Sequence, residues 1–488
     1  MAGAACSAFH AARTAFHAAR TDRDCSGEHT PSTPVATRAA RPQRDLTTGS
    51  LGRLVLQLSL PSAAETALLQ VVTLLDLVWL GRIGGAALPA ATLGYTLRLV
   101  LISPMMGLSV GGMALVARHL GARNRERADH ALTQTMLLVF VIVLPLSVIG
   151  LLFAPTFLRW MGAEGALLTD AVAYCRVIFA GLLFMEMLPT MNGVIRGAGH
   201  PEYTLRSNIV NVGVMAVAEP VLVLGLGPFP ALGVAGAGWA AVIGSVAGVA
   251  AQMFVLARGS AGVTARLADA RPDLGTMRRI LKVALPTAAQ RFSPNLANAI
   301  LMRLVAGLGT DVLSAYSVVS RLFGFLQCSS MGIGNAAATM MGQNLGAGKP
   351  TRAERATTIG MWSSFGVSLA TYSLLNVAAV PVLGLFLRDA AVIAIGAQAL
   401  LFTILSGVGF GWLQVVSYAL SGAGDALSPM VINMAALWLV QLPACWALSG
   451  PAGLGATGVW VGLAVGYLAG AAAITLQFRR GRWKELAL

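Results

Sequence analysis

Polar and apolar positions alternate along this chain on the scale of whole helices rather than single turns. From Leu54 to Phe478, apolar runs of roughly the 20 residues that cross a hydrocarbon core are separated by short polar connections. Hydropathy places about twelve of them, over residues 54–81, 88–117, 131–157, 168–195, 203–226, 232–257, 278–307, 312–345, 356–387, 391–420, 427–449 and 454–478. Each is predicted to be helical, because lipid offers no partner to a bare backbone amide or carbonyl. The fold class is an all-α integral membrane protein with about twelve transmembrane helices.

The pattern also repeats. Sliding the second half over the first so that Pro286 falls on Pro61, an offset of 225 residues, brings Gly309 onto Gly84, Leu313 onto Leu88 and Gly332 onto Gly107. In the same register "LGAGKPTRA" meets "LGARNRERA", "SGAGD" (Ser421 to Asp425) meets "RGAGH" (Arg196 to His200), and Asn433 meets Asn208. So long a period means a duplicated unit rather than a solenoid. Six helices is an even number, so both copies enter the bilayer in the same direction, giving two six-helix lobes related by a parallel repeat. The expected organisation is a disordered N-terminal tail over 1–48, an N-terminal lobe over 49–262, a cytoplasmic linker over 263–275 and a C-terminal lobe over 276–488.

Composition sharpens this. Apolar residues make up 56% of the 488 and charged residues 11%, against about a quarter charged in soluble proteins. The net charge of +14 would suit nucleic acid if it were clustered on one soluble face. Instead the arginines and lysines crowd alternate connections: Arg118 to Arg127, Arg258 to Lys282, Lys349 to Arg355, and the tail Arg479 to Lys484. By the positive-inside rule these loops and both termini are expected in the cytoplasm, in a multi-pass protein of the cell inner membrane. The first 48 residues are rich in Ala, Arg, Ser, Thr and Pro, with no apolar core to act as signal or anchor. The five cysteines lack metal-ligand spacing, and no metal site is expected.

One stretch imitates a phosphate loop. In "MMGQNLGAGKPTRAERA", a phosphate cradle would need glycine five places before the Gly348-Lys349 pair and a hydroxyl directly after it. Gln343 and Pro350 stand there, so neither nucleotide nor nucleic acid is an expected partner. The phrase reads instead as the end of a helix, with glycine at the terminus and a cation complementing the dipole.

Ionisable groups inside a bilayer are functional candidates by default. Asp76 on the first span lies five residues before Gly81, and Glu219 on the fifth lies six before Gly225, so the two acids share a depth in the first lobe. Burial raises a carboxyl pKa towards neutrality, which suits a coupling proton or a shared cation. Pro220 cannot donate to the carbonyl of Ala216, leaving that oxygen free. The repeat places Leu301 and Ala444 at the matching positions, so the second lobe dropped the acids. Glu65 lies on the face of Asp76, and Gln290, Arg291, Asn295 and Asn298 give the seventh span a polar stripe. With Glu186 these are the cavity-lining and substrate candidates. Glu65 and Arg291 fall at almost one depth, which makes a pair across the central cleft one expectation; Arg291 pairing within its own lobe, with Glu65 facing water, is the other.

The phrases "DLVWLGRIGGAALPAATL", "VIRGAGHPEYT", "EPVLVLGLGPFPALGVAGAGWA", "MMGQNLGAGKPTRAERA" and "FRRGRWK" resemble the multidrug and toxic compound extrusion (MATE) family over nearly everything from Leu51 to Lys484. "GLGTDVLSAYSVVSRLFGF" resembles its bacterial DNA-damage-inducible-F-type branch. The resemblance implies a V-shaped pair of lobes exporting diverse organic molecules against protons or sodium. Asp76 matches the family's acid on the first helix, and Glu219 stands where the branch has Asp. The family's Asn one turn earlier is Met215 here, with Asn211 and Asn208 farther back; these four, Asp76, Glu219, Asn208 and Asn211, form the expected cation-coupling set. The expected function is secondary antiport of amphipathic organic compounds, without catalysis or cofactor beyond H+ or Na+, by a monomer in contact with lipid. A lipid-linked oligosaccharide flippase and a non-transporting membrane scaffold remain the alternatives.

Overall fold

A computed structural model describes residues 45–83, 87–102, 105, 107–226, 230–265 and 271–486; within the helices the side chains of 72–78, 81–83 and 88 are also outside the description. The expected tail therefore falls outside the described residues up to 44.

The first lobe runs through α1 (Leu51–Ile83), α2 (Ala87–Ile102), α3 (Leu108–Gly121), α4 (Arg125–Trp160), α5 (Gly165–Ala180), α6 (Leu182–Gly197), α7 (Pro201–Leu224) and α8 (Val234–Ala257). The second runs through α9 (Leu274–Ala306), α10 (Thr310–Gly346), α11 (Pro350–Val377), the short α12 (Ala379–Gly384), α13 (Ala390–Ala423), α14 (Leu427–Ala435), a π-helical turn (Ala436–Gln441), α15 (Leu442–Ser449) and α16 (Gly455–Arg479). Counting α2 with α3, α5 with α6, α11 with α12 and α14 with α15 as single crossings gives twelve, six to a lobe. Among the described residues, seven crossings are apolar enough to span a membrane on their own, and α5 with α6, bent by 53°, makes an eighth. Helices α9 and α10 are long enough at 33 and 37 residues, but their polar faces turn to a cavity described below.

Breaks have local causes. At Gly181, between α5 and α6, a Cβ would overlap the methyls of Val242 on α8, so the kink lets the two backbones close up. The π-helical turn precedes Pro443, whose ring nitrogen cannot bond the preceding turn. Large apolar side chains such as Leu152, Val217, Leu374 and Leu439, each at least 69% exposed, lie on outer helix faces. On a soluble protein this would be a liability; against lipid it is the solvated state.

Between the lobes, contact is made by small residues, as expected where lipid removes the hydrophobic drive and close backbone approach must supply attraction. A Cβ on Gly121 would overlap the carbonyl oxygen of Gln343, and one on Gly346 the carbonyl oxygen of Arg118. These are the same contact under the 225-residue register. Gly107 against Ala284 and Gly332 against Ser59 form a second such couple. Hydrogen bonds follow the same symmetry to within one residue: Gln343 Nε2 donates to the Gly197 carbonyl (2.9 Å) and Arg118 Nη1 to the Ala423 carbonyl (3.2 Å). Each lobe's second span thus grips the end of the other lobe's fourth, closing the cleft at the end where the basic loops cluster.

The repeated phrase is a seal, which revises its reading as a helix cap. Gly121 and Gly346 are interface residues, and the left-handed capping position falls two residues later, at Arg123 (φ 58°) and Gly348 (φ 70°). The Lys349 ammonium does not cap the preceding helix; Nζ donates to the Thr47 carbonyl at 3.0 Å. With Arg352 Nη2 bonding the carbonyls of Thr48 and Gly49 and Leu46 fully buried against Leu58, Ala336 and Met340, residues 45–49 are docked rather than part of a free tail. The linker is likewise anchored at both ends to α4. Asp129 accepts from the Thr264 backbone N–H and hydroxyl, and Gln134 bonds the Arg271 carbonyl and the Asp273 N–H. Hydrogen bonds from Thr276 and His130 hold the Asp273 carboxyl well below the usual carboxylate range. Residues 266–270 lie outside the described residues.

Candidate functional site

Two polar regions lie within the lobes, and the register relates them. In the first lobe, Glu65 of α1 is 3% exposed. Its Oε1 accepts from Arg196 Nη1 (2.8 Å) and Asn208 Nδ2 (3.1 Å), and its Oε2 from the Thr204 hydroxyl (2.6 Å). A buried carboxylate this well matched by one guanidinium and two neutral donors is a satisfied ion pair tying α1, α6 and α7 together. Glu186 of α6 is similarly engaged, with Arg98 Nη2 of α2 at 2.9 Å.

Eleven residues beyond Glu65 on α1 comes Asp76, and eleven beyond Asn208 on α7 comes Glu219. At 1.5 Å per residue the second layer lies about 16 Å along the helices from the first. Glu219 has no exposed surface. Asp76 lies on the α1 backbone, and its side chain is among those outside the described residues. The four residues of the expected coupling set are not gathered in one place. Asn208 belongs to the Glu65 layer, and Asn211 is half-buried against α8, where a Cβ on Gly244 or Gly248 would press on it. Residue spacing along α7 explains this: Asn211 and Asn208 precede Glu219 by eight and eleven positions, more than one turn.

In the second lobe the matching positions are open. Glu65, Arg196 and Asn208 correspond to Gln290, Ser421 and Asn433, and all three of these line a cavity of about 640 Å³. Helices α9, α10, α13, α14, α16 and the π-helical turn wall it, with Val110 of α3 reaching it from the first lobe. Gln290, Arg291, Asn295 and Asn298 all face it, whereas Glu65 and Glu186 do not, being consumed by Arg196 and Arg98. Its apolar wall is aromatic: Tyr316 stacks on Trp460 at 5.8 Å with planes 11° apart, and Phe323 and Tyr467 stack at 6.0 Å. Asn298 Oδ1 accepts from the Tyr316 hydroxyl (3.1 Å). Arg291 Nη2 donates to the Tyr418 hydroxyl at 2.7 Å, and its guanidinium carbon lies 5.4 Å from that ring's centre. Arg291 therefore pairs within its own lobe, and the expected Glu65–Arg291 pair is not formed in this conformation.

Sequence reasoning missed Arg98, the partner of Glu186, because an arginine in a short apolar helix gives no sign of which helix it will meet. It also missed the aromatic wall, whose members come from three helices with no common spacing. The signal that was available is the register, since it maps Glu65, Arg196 and Arg98 of the first lobe's ion pairs onto Gln290, Ser421 and Phe323 of the cavity.

Comparison with known proteins fits this geometry. The chain is 28% identical over 410 residues to the probable multidrug resistance protein YoeA of Bacillus subtilis, covering 82% of this chain and 88% of that protein. It is 25% identical over 403 residues to a FAD transporter of Shewanella oneidensis, with the same coverages. It is 28% identical over 433 residues to the probable multidrug resistance protein NorM of Deinococcus radiodurans, covering 85% of this chain and 92% of that one. The crystal structure of MATE in the straight conformation shares its fold at a TM-score of 0.84 and 23% identity, over 90% of this chain and 98% of that one. The MatE family model matches twice, over residues 61–221 and 286–447, and the two matches begin at Pro61 and Pro286, the residues that set the repeat register. A duplicated six-helix unit with a polar cavity and a double match of this kind has one reading: the chain belongs to the MatE family of multi-pass membrane transporters.

Proposed function

We propose that the protein is a secondary active antiporter that exports amphipathic organic compounds across the cytoplasmic membrane in exchange for H+ or Na+, with both termini in the cytoplasm and the monomer as the working unit. The observation that carries this is Glu219, a carboxyl with no exposed surface inside a membrane span. Holding such a group charged is costly, so binding a cation there and releasing it is coupled to whatever else changes its surroundings. Pro220 supports the reading, since its missing N–H leaves the Ala216 carbonyl as a further oxygen in the same turn. Asp76 is assigned as the second acid of the pair. No further cofactor is invoked.

Closure at the basic end supports an outward-facing state, in which a coupling cation would enter from outside. Relatives named as multidrug resistance proteins and as a FAD transporter support a broad class of organic substrate. The flippase alternative calls for a larger, strongly cationic cavity, and one arginine among the lining residues does not favour it.

The test is dye efflux in everted vesicles, first under an imposed pH gradient and then under a sodium gradient. Glu219→Gln keeps the shape and loses the titration, so it is expected to abolish gradient-driven efflux while folded protein remains in the membrane. Wild-type efflux by that variant overturns the assignment of Glu219.

A further inference from the structure

The second-lobe cavity carries a charge that the exported class must answer. Among the described residues lining it, Arg291 alone is ionised, and none is an aspartate or glutamate. A guanidinium stays protonated at any physiological pH. It offers five N–H donors, and among the described residues its side chain bonds only the Tyr418 hydroxyl. No carboxylate of the described residues pairs with it. The nearest candidate by depth, Glu65, is taken by Arg196 at 2.8 Å.

The rest of the wall is of two kinds. Amides, among them Gln290, Asn295, Asn298 and Gln441, donate and accept without adding charge. Aromatic residues offer ring faces, among them the stacked Tyr316 and Trp460. A volume of about 640 Å³ lies within the range of small-molecule sites.

We propose that this cavity binds flat aromatic organic anions, carrying a carboxylate, sulfonate or phosphate, with Arg291 as the countercharge and the aromatic wall as the stacking face. The inference rests on the antiporter reading for the direction of transport but not for binding. An anion gains a charge-assisted, fork-shaped hydrogen-bonding partner that is already held in place by Tyr418. An aromatic cation of the same size meets the same guanidinium in a partly desolvated site with no acid to offset it, so the selection acts against cations as well as for anions. The register shows how this arose. Where the first lobe fills these positions with the Glu65–Arg196 pair, the second replaces acid and base by Gln290 and Ser421 and places Arg291 a residue away, at the position of Thr66.

Riboflavin and flavin mononucleotide test this, because they share one fluorescent ring and differ by a phosphate; ethidium serves as the flat cation. Binding to the purified full-length protein in detergent is read by fluorescence, without any gradient. Flavin mononucleotide is expected to bind at least about tenfold tighter than riboflavin, as one charge-assisted hydrogen bond allows, and to weaken with added salt. Arg291→Gln is expected to bring it down to riboflavin's affinity while leaving riboflavin within about twofold, the expected scatter for an unchanged neutral contact. Retained riboflavin binding shows that the variant is folded, and Arg291→Lys, which keeps the charge, is expected to keep part of the preference. Equal affinities for the two flavins, tighter binding of ethidium, or a phosphate preference that survives Arg291→Gln would each overturn the proposal. Gradient-driven efflux of cationic dyes alongside such a result would leave the antiporter standing and remove only this substrate class. Tight flavin mononucleotide binding without any coupled efflux would do the reverse.

Discussion

At the scale of single residues, the duplicated unit provides its own control. Arg123 and Gly348 occupy the same capping position, both left-handed, and both turns close with the same bonds: Arg123 N–H to the Leu120 carbonyl and Gly348 N–H to the Leu345 carbonyl, each 3.0 Å. Only glycine adopts that conformation without a Cβ clash, which costs other residues roughly 1–2 kcal/mol. Glycine gives back part of this through its looser unfolded chain. Arg123→Gly is therefore expected to raise stability by about 1 kcal/mol, visible as a higher thermal midpoint in detergent, and Gly348→Arg to lower it. A lower midpoint for Arg123→Gly would show that the arginine side chain makes a contribution larger than its backbone strain. His119 shows the same divergence. Its counterpart is the buried Asn344, which bonds the carbonyls of Met340 and Leu46. Burial first, and then the surrounding Arg127, Arg279 and Arg118, hold the His119 imidazole below its ordinary pKa.

At the scale of helices, the ion pairs of the first lobe act as ties between spans. Arg98 on α2 and Glu186 on α6 are 20% and 8% exposed at the side chain, so neither charge has much water to fall back on. Removing one partner leaves the other stranded, which costs about 3–5 kcal/mol, whereas replacing both by apolar groups of similar size is close to neutral. Arg98→Met alone is expected to lower the thermal midpoint sharply, and Arg98→Met with Glu186→Leu to recover most of it. Failure of the double variant to recover would mean that the pair does more than neutralise itself. The Glu65 layer is a stricter case, because Glu65 has three partners on two helices and no apolar replacement satisfies Arg196, Thr204 and Asn208 together.

At the scale of the whole molecule, closure depends on two glycines related by the repeat. Since a Cβ on either would overlap a backbone carbonyl of the opposite lobe, the contact can yield only by separating the lobes. Gly121→Ala and Gly346→Ala are each expected to open the basic end. The reporter is a cysteine replacing Met113, which is buried in the interlobe cluster with Val110, Val283, Ala338 and Ala426, in a protein whose native cysteines are serine. Its labelling by a water-soluble maleimide is expected to quicken in either variant. The double variant is expected to label little faster than the singles, because one breach already opens the seal. Unchanged labelling in both singles would mean that the lobes do not part here.

What the sequence by itself determined was whatever depends on position along a helix. Span number, the duplication, the depth of Asp76 relative to Glu219, and the polar stripe Gln290 to Asn298 all follow from local periodicity and an internal register, which need no partner to be read. Which groups meet was decided by the tertiary structure. Glu65 could have faced water, Arg291 or Arg196, and its own helix is the same in every case; the closing of α6 and α7 on α1 chose Arg196. Gly121 reads as a cap from its neighbours and is an interface residue, because only the approach of α10 gives the missing Cβ its reason. The cavity itself has no sequence signature, since it is the space left where elements with small, amide and aromatic faces fail to meet.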